Sequence, residues 1–553
     1  MSEFPWIANY PTGIPAKIEE NQPNSVLELL RDAFQKFGSR EAFENMGKSL
    51  TFQQIDQLSD FFAAYLQYEL KLVKGDRIAI QMPNCLQYPI VLVGALKAGL
   101  TVVNTNPLYT PREMEHQFKD AGAKAIVIVA NFARHLEEVI KTTSIEHVIV
   151  TELGDLLGAL KGGIVNFVVK RVKKMVPTYN LPNAVKLKDV LKKGARMKFT
   201  SPDISGEDLA FLQYTGGTTG VSKGAQLSHA NIVAHTHIIA DWFSPYLSDK
   251  PELMCTPIPM YHIFALSVNG LLMMHVGAKN LLITNPRDMK SFLKDLKSHQ
   301  VTLMTGVNTL FNGLLNQPAF KDVDLSKLKG SIGGGMAVQD FVAKKWESVT
   351  GSPLIQGYGL SETSPVLCCN PLDGTHEIGT IGLPVSNTEV GIFDDDGNQL
   401  SQGEVGEICA RGPQVMNGYW QIDNKDVFFD GDWFRTGDIG IMSEKGFFTI
   451  VDRKKDMINV SGFNVYPNEV ENVIVGHPKV LEVAVVGVKD EKSSECVKAF
   501  IVKADDSLTI EELKAYCHEE LTGYKRPKHY EFREDLPKTN VGKILRRVLK
   551  EED

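Results

Sequence analysis

Cysteine is scarce in this chain, and no two cysteines stand at metal-binding spacing. The seven, Cys85, Cys255, Cys368, Cys369, Cys409, Cys496 and Cys517, are odd in number and scattered over 553 residues. Without a C-x-x-C pair, neither a structural zinc nor a disulfide framework is expected, which fits a reducing cytoplasm. Long apolar runs are missing too: none reaches the ~18 residues that would suggest a membrane span. The opening MSEFPWIANYPTGIPAKIEENQP has no basic n-region and no apolar h-region, so no secretory signal is expected. There is no excess of positive charge. The net charge of −8 argues against nucleic acid as the main partner. No internal repeat and no low-complexity segment interrupts the chain.

What is present is the composition of an ordinary globular enzyme, 43% hydrophobic and 23% charged. The length exceeds what one core supports, so at least two domains are expected. In the first half, strand-like and helix-like segments alternate. Arg77 to Met82 reads as a buried strand, Leu86 to Lys97 as a helix, and Leu100 to Asn104 and Ala123 to Ala130 as further strands. Strand, helix, strand at this spacing predicts βαβ units and mostly parallel sheets. The pattern returns between Asn280 and Gly306. From about residue 375 the segments become short and β-like, with turns such as Asp395-Asp396-Gly397-Asn398, and a β-rich subdomain is expected. The last hundred residues read as a small α+β unit. Its strands are Glu482 to Val488 and Val497 to Lys503, and its helix is Ile510 to Leu521 after the Ser507/Thr509 cap signals. The charged run Asp452 to Asp456 suits an exposed linker. The predicted organisation is therefore α/β: a large domain over 1–452 and a small mobile α+β domain over 453–553.

One stretch reverses the local charge. Between Lys161 and Lys198 stand eleven lysines and arginines, among them Lys170, Arg171, Lys173 and Lys174, and the only acid is Asp189. Gly163 to Val176 mixes this charge with Ile164, Val165, Phe167, Val168, Val169, Val172 and Met175. Such a segment reads either as a solvated helix at the domain edge or as a helix in the interface of an anionic membrane.

The densest chemistry lies in Tyr214 to Gly224, YTGGTTGVSKG, directly after the apolar run Leu209 to Leu212. Glycines let successive N–H groups converge on an anion, hydroxyls add donors, and Lys223 adds charge. The P-loop pattern G-x-x-x-x-G-K-[ST] is not met, because Val221 and Ser222 separate Gly220 from Lys223. Taken alone, the stretch could be a polyphosphate cradle or a polar surface loop. Other segments suit a nucleotide and carboxylate site. Gln356 to Thr363, QGYGLSET, sets an aromatic, a hydroxyl and a carboxylate among glycines. Tyr358 could stack on a purine or be a buried turn tyrosine. Glu362 could hold Mg²⁺, which takes one or two protein carboxylates plus phosphate oxygens. Ser331 to Gly335 is a backbone-exposing loop. Tyr419-Trp420 and Trp433 to Asp438 form a loop ending in an acid that could bind ribose hydroxyls. Lys543 follows a glycine turn near the C-terminus and could equally be a solvent lysine.

In order, YTGGTTGVSKGA, PMYHIF, GYGLSET, WFRTGD, DRKKDMINVSGFNVYPNEVE and PKTNVGKILRR resemble the adenylate-forming superfamily of acyl-CoA synthetases, luciferases and peptide-synthetase adenylation domains. The resemblance covers nearly the whole chain. Within the superfamily, Pro107 to Glu113, Leu282 to Asp288, Thr305 to Asn312 and Gly412 to Met416 look most like bacterial long-chain fatty-acid–CoA ligases.

The resemblance implies a two-step reaction: fatty acid and ATP give acyl-AMP and pyrophosphate, and coenzyme A then displaces AMP. It implies that Thr215, Gly216, Gly217, Thr218, Thr219, Gly220 and Lys223 hold the phosphates. Glu362 together with Thr215 would bind Mg²⁺. Tyr358 would stack on adenine, framed by Gln356, Gly357 and the Gly334-Gly335 backbone. Ser361 stands where many relatives have threonine, so its hydroxyl contact to phosphate should survive. Asp438 and Arg453 would bind ribose. Lys543 would bridge carboxylate and α-phosphate during adenylation only, after which the small domain would rotate about Lys455 and bring the Gly462 loop to the CoA channel. His262 would either gate the acyl pocket or pack beside it. Many relatives carry lysine at the position of Asn459, so no phosphate contact is expected there. Cysteine usage fits a cytoplasmic protein, the basic segment with a fatty substrate allows association with the inner face of the membrane, and the resemblance implies the family's tendency to form homodimers. Two other readings stay open: an acyl-AMP ligase or a synthetase for medium-chain or aryl acids, and an idle membrane-surface binding protein.

Overall fold

The computed structural model describes residues 4–19, 22–215, 221–248, 250–429, 432–490, 493–539 and 542–552. Two large sheets form the body. The first has seven strands, ordered Val185–Lys186, His147–Thr151, Ala123–Val129, Arg77–Gln81, Thr101–Asn104, Leu209–Thr215 and Lys223–Ser228. All its pairings are parallel except the last. Its central strands are buried almost throughout, which is why they read as near-continuous apolar runs. The second has nine strands and is parallel through Lys279–Leu282, Leu253–Thr256, Leu303–Gly306, Gly330–Gly333 and Leu354–Gly359. Antiparallel pairs close both of its edges. One edge is the hairpin Glu41–Asn45 and Lys48–Thr51, which the N-terminal segment contributes.

Helices start where side chains satisfy the free amides of the first turn. Phe52–Tyr68, Pro111–Ala121 and His229–Phe243 each carry a capping box, made by Thr51/Gln54, Thr110/Glu113 and Ser228/Asn231. Helix Gln87–Lys97 is buried on every residue and lies in the core against Phe52–Tyr68.

The β-rich subdomain is a five-stranded antiparallel sheet, Glu389–Phe393, Val405–Arg411, Trp433–Met442, Phe428–Phe429 and Phe448–Arg453. The chain leaves it at Arg453 and enters the small-domain sheet at Ile458. That sheet pairs Val480–Asp490 with Ser494–Lys503 antiparallel and His529–Arg533 parallel, under helices Pro467–Val475 and Ile510–Glu520. Its two long strands outrun the expected ones because the hairpin continues past its apolar centre into Lys489 and Asp490.

The connecting run is not uniformly exposed, as its charge suggested. Asp452 is fully buried, and its carboxylate accepts hydrogen bonds from the Asn468 and Arg453 amides beside the Arg546 guanidinium. Burial raises its pKa to about 6 against the opposing pull of Arg546. All seven cysteines are buried and free. No helix among the described residues is long and apolar enough to cross a membrane. The basic stretch is a short helix, Ala159–Phe167, running into a wider-wound turn, Val168–Val172. Gly162 packs on the Gly154 backbone, and Asn166 bonds the Gly154 amide. Val165 packs on the core, but other apolar side chains face outward: Leu160 is 80% exposed, Val172 63% and Phe167 61%.

Candidate functional site

The glycine-rich loop leaves strand Leu209–Thr215 and returns as Lys223–Ser228, so Thr215 and Lys223 lie opposite each other in register. Gly216, Gly217, Thr218, Thr219 and Gly220 lie outside the described residues. The loop's base is braced from helix Pro111–Ala121. There His116 Nε2 meets the Ser222 carbonyl at 2.9 Å, and Asp120 engages the Tyr214 hydroxyl. The Trp420 indole N–H adds a bond to the Asp120 carbonyl at 3.1 Å.

Strand Leu354–Gly359 carries the second segment to the same cleft. A Cβ at Gly359 would lie 1.7 Å from the Pro365 oxygen, so only glycine allows the turn that follows. That turn, Ser361–Thr363, packs against both strands of the glycine-loop hairpin. It puts Glu362, 6% exposed, beside them. The Tyr419 hydroxyl donates to Glu362 Oε1 at 2.6 Å. Burial holds the Glu362 pKa above the usual carboxylate value, and the Tyr419 bond opposes it.

Tyr358 is buried, and its hydroxyl donates to Asp438 Oδ2 at 2.7 Å. Arg453 Nε lies 3.2 Å from the other Asp438 oxygen, across the register pair Asp438–Arg453. Gln356 accepts from the Val338 amide at 2.9 Å and so ties its strand to the segment after Gly334-Gly335. Gly335 has φ +78°, and the Gly334 amide donates to the Gly306 carbonyl. Gly357 pairs with Cys369 at the sheet edge. Ser361 is half-buried at the mouth of the turn.

The small domain delivers Lys543 to this cleft. Its turn docks on the large domain, where Thr309 Oγ1 donates to the Gly542 carbonyl at 3.2 Å and Asn312 Nδ2 to the Leu481 carbonyl at 3.0 Å. The Lys543 ammonium lies in the electrostatic reach of Arg453, Asp438 and His262. Burial first, and Arg453 second, lower its pKa to about 8. Burial lowers His262 to about 4, with Lys543 adding to the effect, so its ring is neutral at physiological pH. Lys455 is exposed in the connection, two residues past Arg453. Gly462, with φ +87°, sits in an exposed turn of the small domain, where its amide donates to Asn459 Oδ1 at 2.8 Å. Asn459 thus holds the turn, which accounts for the residue found there. The structure thus joins Thr215, Lys223 and Glu362 through the hairpin and the turn packed on it, joins Tyr358, Asp438 and Arg453 by direct contacts, sets Lys543 within electrostatic range of Arg453, Asp438 and His262, and leaves Gly462 in an exposed turn.

Mg²⁺ is tested by the donor set. No group of three or more His, Cys, Asp or Glu side chains gathers among the described residues, so no all-protein cage is offered. Magnesium needs none where phosphate oxygens and water complete its octahedron. Glu362 fits: one oxygen is fixed by Tyr419, and no other described residue bonds the second. Sequence reasoning placed Tyr419-Trp420 in a candidate segment but gave Tyr419 no role of its own. The aromatic pair Tyr419-Trp420 after a glycine was its only signal. It missed His116 and Asp120, which ordinary helix polarity conceals.

A large α/β domain built around a glycine-rich hairpin, with a small α+β domain docked on it through the turn before a lysine, defines the two-domain class of protein to which this chain belongs. The AMP-binding enzyme family model matches residues 30–420, and the AMP-binding enzyme C-terminal domain model matches 469–543. The chain belongs to this adenylate-forming family. It is 53% identical over 548 residues to the long-chain-fatty-acid–CoA ligase of Salmonella typhimurium, with 99% of this chain and 98% of that protein covered. It is 39% identical over 561 residues to the ligase of the same name from Bacillus subtilis, covering 100% and 99%. Among solved structures, the anthranilate CoA ligase AuaEII in complex with anthranoyl-AMP superposes with a TM-score of 0.85 at 23% identity, over 96% of this chain and 97% of that one. ATP-bound MatB from Rhodopseudomonas palustris superposes with a TM-score of 0.79 at 25% identity, over 96% and 99%.

Proposed function

We propose that this chain is an AMP-forming ligase that joins long-chain fatty acids to coenzyme A. In the first step a carboxylate oxygen attacks the α-phosphorus of ATP; the new P–O bond forms as the bond to the β-phosphate oxygen breaks, and pyrophosphate leaves. In the second, the CoA sulfur attacks the acyl carbon, the bond to the AMP oxygen breaks, and the thiol proton passes to solvent. The observation that supports the reading is the docking of the Gly542-Lys543 turn on Thr309, which sets Lys543 within electrostatic range of Asp438, Arg453 and His262.

The difficulty of the first step is bringing an anion onto a polyanion, so placed positive charge does most of the catalysis. In this reading Lys223 and the loop amides hold the outer phosphates, and Glu362 with Thr215 holds Mg²⁺, which would neutralise phosphate charge. Tyr358 stacks on the adenine framed by Gln356, Gly357, Gly334 and Gly335, Ser361 contacts phosphate, and Asp438 with Arg453 takes the ribose. Lys543 bridges carboxylate and α-phosphate. A neutral His262 within electrostatic range of the lysine adds no further cation there and would gate the acyl pocket or pack beside it. Rotation about Lys455 then carries Lys543 away and brings Gly462 in.

The enzyme works at the cytoplasmic face of a membrane, which its sparingly soluble substrate favours. The outward apolar side chains of 160–175, flanked by Lys170, Arg171, Lys173 and Lys174, support that location. Pyrophosphate release measured over acids of graded length tests the proposal. Release that rises with chain length into the long-chain range is expected. Release only with aryl or short acids would overturn it.

A further inference from the structure

Lys223 and Glu362 carry opposite charges and flank one phosphate loop, yet no ion pair joins them among the described residues. Tyr419 stands against both. Its hydroxyl donates to Glu362 Oε1 at 2.6 Å, and the Lys223 ammonium lies 5.1 Å from its ring centroid. The tyrosine is held from its backbone. It bridges Ala225 in the returning strand, its amide donates to Asn424 Oδ1 at 2.8 Å, and Gln226 Nε2 donates to its carbonyl at 3.2 Å. One residue on, the Trp420 amide donates to the Gly224 carbonyl, and the Met416 amide donates to the Glu362 carbonyl. The segment 416–420 is thus stitched to the lysine's strand at one end and to the glutamate's turn at the other.

A lysine and a buried carboxylate that share one aromatic neighbour would gain by collapsing on each other in a low-dielectric site. Such a pair would cancel the two charges before any substrate arrived. The aromatic ring offers the ammonium a π-face, and the phenol offers the carboxylate a neutral donor. Neither contact neutralises the group it holds.

We propose that Tyr419 is a positioning residue that keeps Lys223 and Glu362 apart, the lysine left for phosphate and the second carboxylate oxygen left for the metal. The proposal rests on Glu362 being the metal carboxylate. Tyr419 touches no reacting atom. Its hydroxyl serves the metal side and its ring serves the phosphate side, and that division separates it from a mere packing aromatic.

The test uses the full-length enzyme with Mn²⁺ as the probe, counting free Mn²⁺ by electron paramagnetic resonance, and metal-free ATP binding by calorimetry. Tyr419→Phe loses the hydroxyl and keeps the ring. It should weaken Mn²⁺ binding to the enzyme–ATP complex about tenfold, the worth of one hydrogen bond to a charged group, and leave metal-free ATP affinity unchanged. Tyr419→Leu should weaken both. In a Glu362→Gln background, Tyr419→Phe should cost nothing further. Wild-type Mn²⁺ affinity in Tyr419→Phe would overturn the proposal. So would equal loss of metal-free ATP binding in the Phe and Leu variants, which is also the signature of a damaged fold. Wild-type Mn²⁺ affinity in Glu362→Gln alone would instead overturn the metal assignment, and this proposal with it.

Discussion

Replacing Lys543 with alanine should slow acyl-adenylate formation a hundredfold to a thousandfold and spare thioester formation from acyl-adenylate supplied ready-made. The magnitude follows from the charge that an ammonium bridging carboxylate and α-phosphate would supply. A unit charge about 4 Å from a developing anion, at an effective dielectric of about 20, is worth about 4 kcal/mol. That is close to three orders of magnitude in rate. Arg453 shares the cleft and supplies part of the same field, so the loss falls toward the lower end, the range seen when one preorganised donor is removed. The truncation should leave the fold alone. The docking contacts are made by backbone carbonyls, those of Gly542 and Leu481, and the Asp438–Arg453 pair does not include the lysine. Single-turnover rapid quench measures the two halves separately: pyrophosphate from acid and ATP, then acyl-CoA from synthetic acyl-AMP and CoA. Equal slowing of both halves would refute the reasoning, because it would place Lys543 in the site throughout the cycle.

Three further outcomes are expected. The Lys543 pKa is lowered to about 8, so the ammonium is lost as pH rises through that value, and kcat/KM for adenylation should fall above about pH 8. The fall should move well upward in Lys543→Arg, and a profile identical in both proteins would count against the assignment. Lys455→Pro fixes φ near −65° and restricts Lys454, so thioester formation should collapse while pyrophosphate release persists; stopped-flow measurement of both halves decides it. Replacing Lys170, Arg171, Lys173 and Lys174 by glutamine should release the protein from anionic vesicles, each charge adding about 1 kcal/mol, screened by salt. Co-sedimentation left unchanged by the replacement would remove the basic segment from any membrane role.

The parallel strands were legible because burial on both faces leaves uninterrupted apolar runs, as in Ala123–Val129. Helix Ile510–Glu520 was legible from its Thr509 cap, whose hydroxyl accepts from the Glu512 amide. The edge hairpin from Glu41 to Thr51 was not: it joins Lys279–Leu282, more than two hundred residues away, and no local pattern announces such a partner. Asp452 was read as linker charge because sequence shows its polarity but not the Arg546 and Asn468 groups that fold back over it. The site's residue types were legible through ordered motifs. Their mutual support was not, since Tyr419 meets Glu362 across 57 positions and Lys223 from still farther along the chain. Likewise, the alternation of charge and apolar residues around Phe167 announced an amphipathic segment but not which side faces out. The close packing of Gly162 on Gly154 decides that.

The most direct test of the central claim is a two-stage reaction with a long-chain acid. Enzyme, oleate, ATP and Mg²⁺ are mixed without CoA, the bound products are identified by mass spectrometry, and CoA is then added. The account predicts about one oleoyl-adenylate per cleft with an equal amount of pyrophosphate, followed by conversion to oleoyl-CoA and AMP within the chase. Release of ADP and phosphate, or an adenylate that CoA leaves untouched, would contradict it.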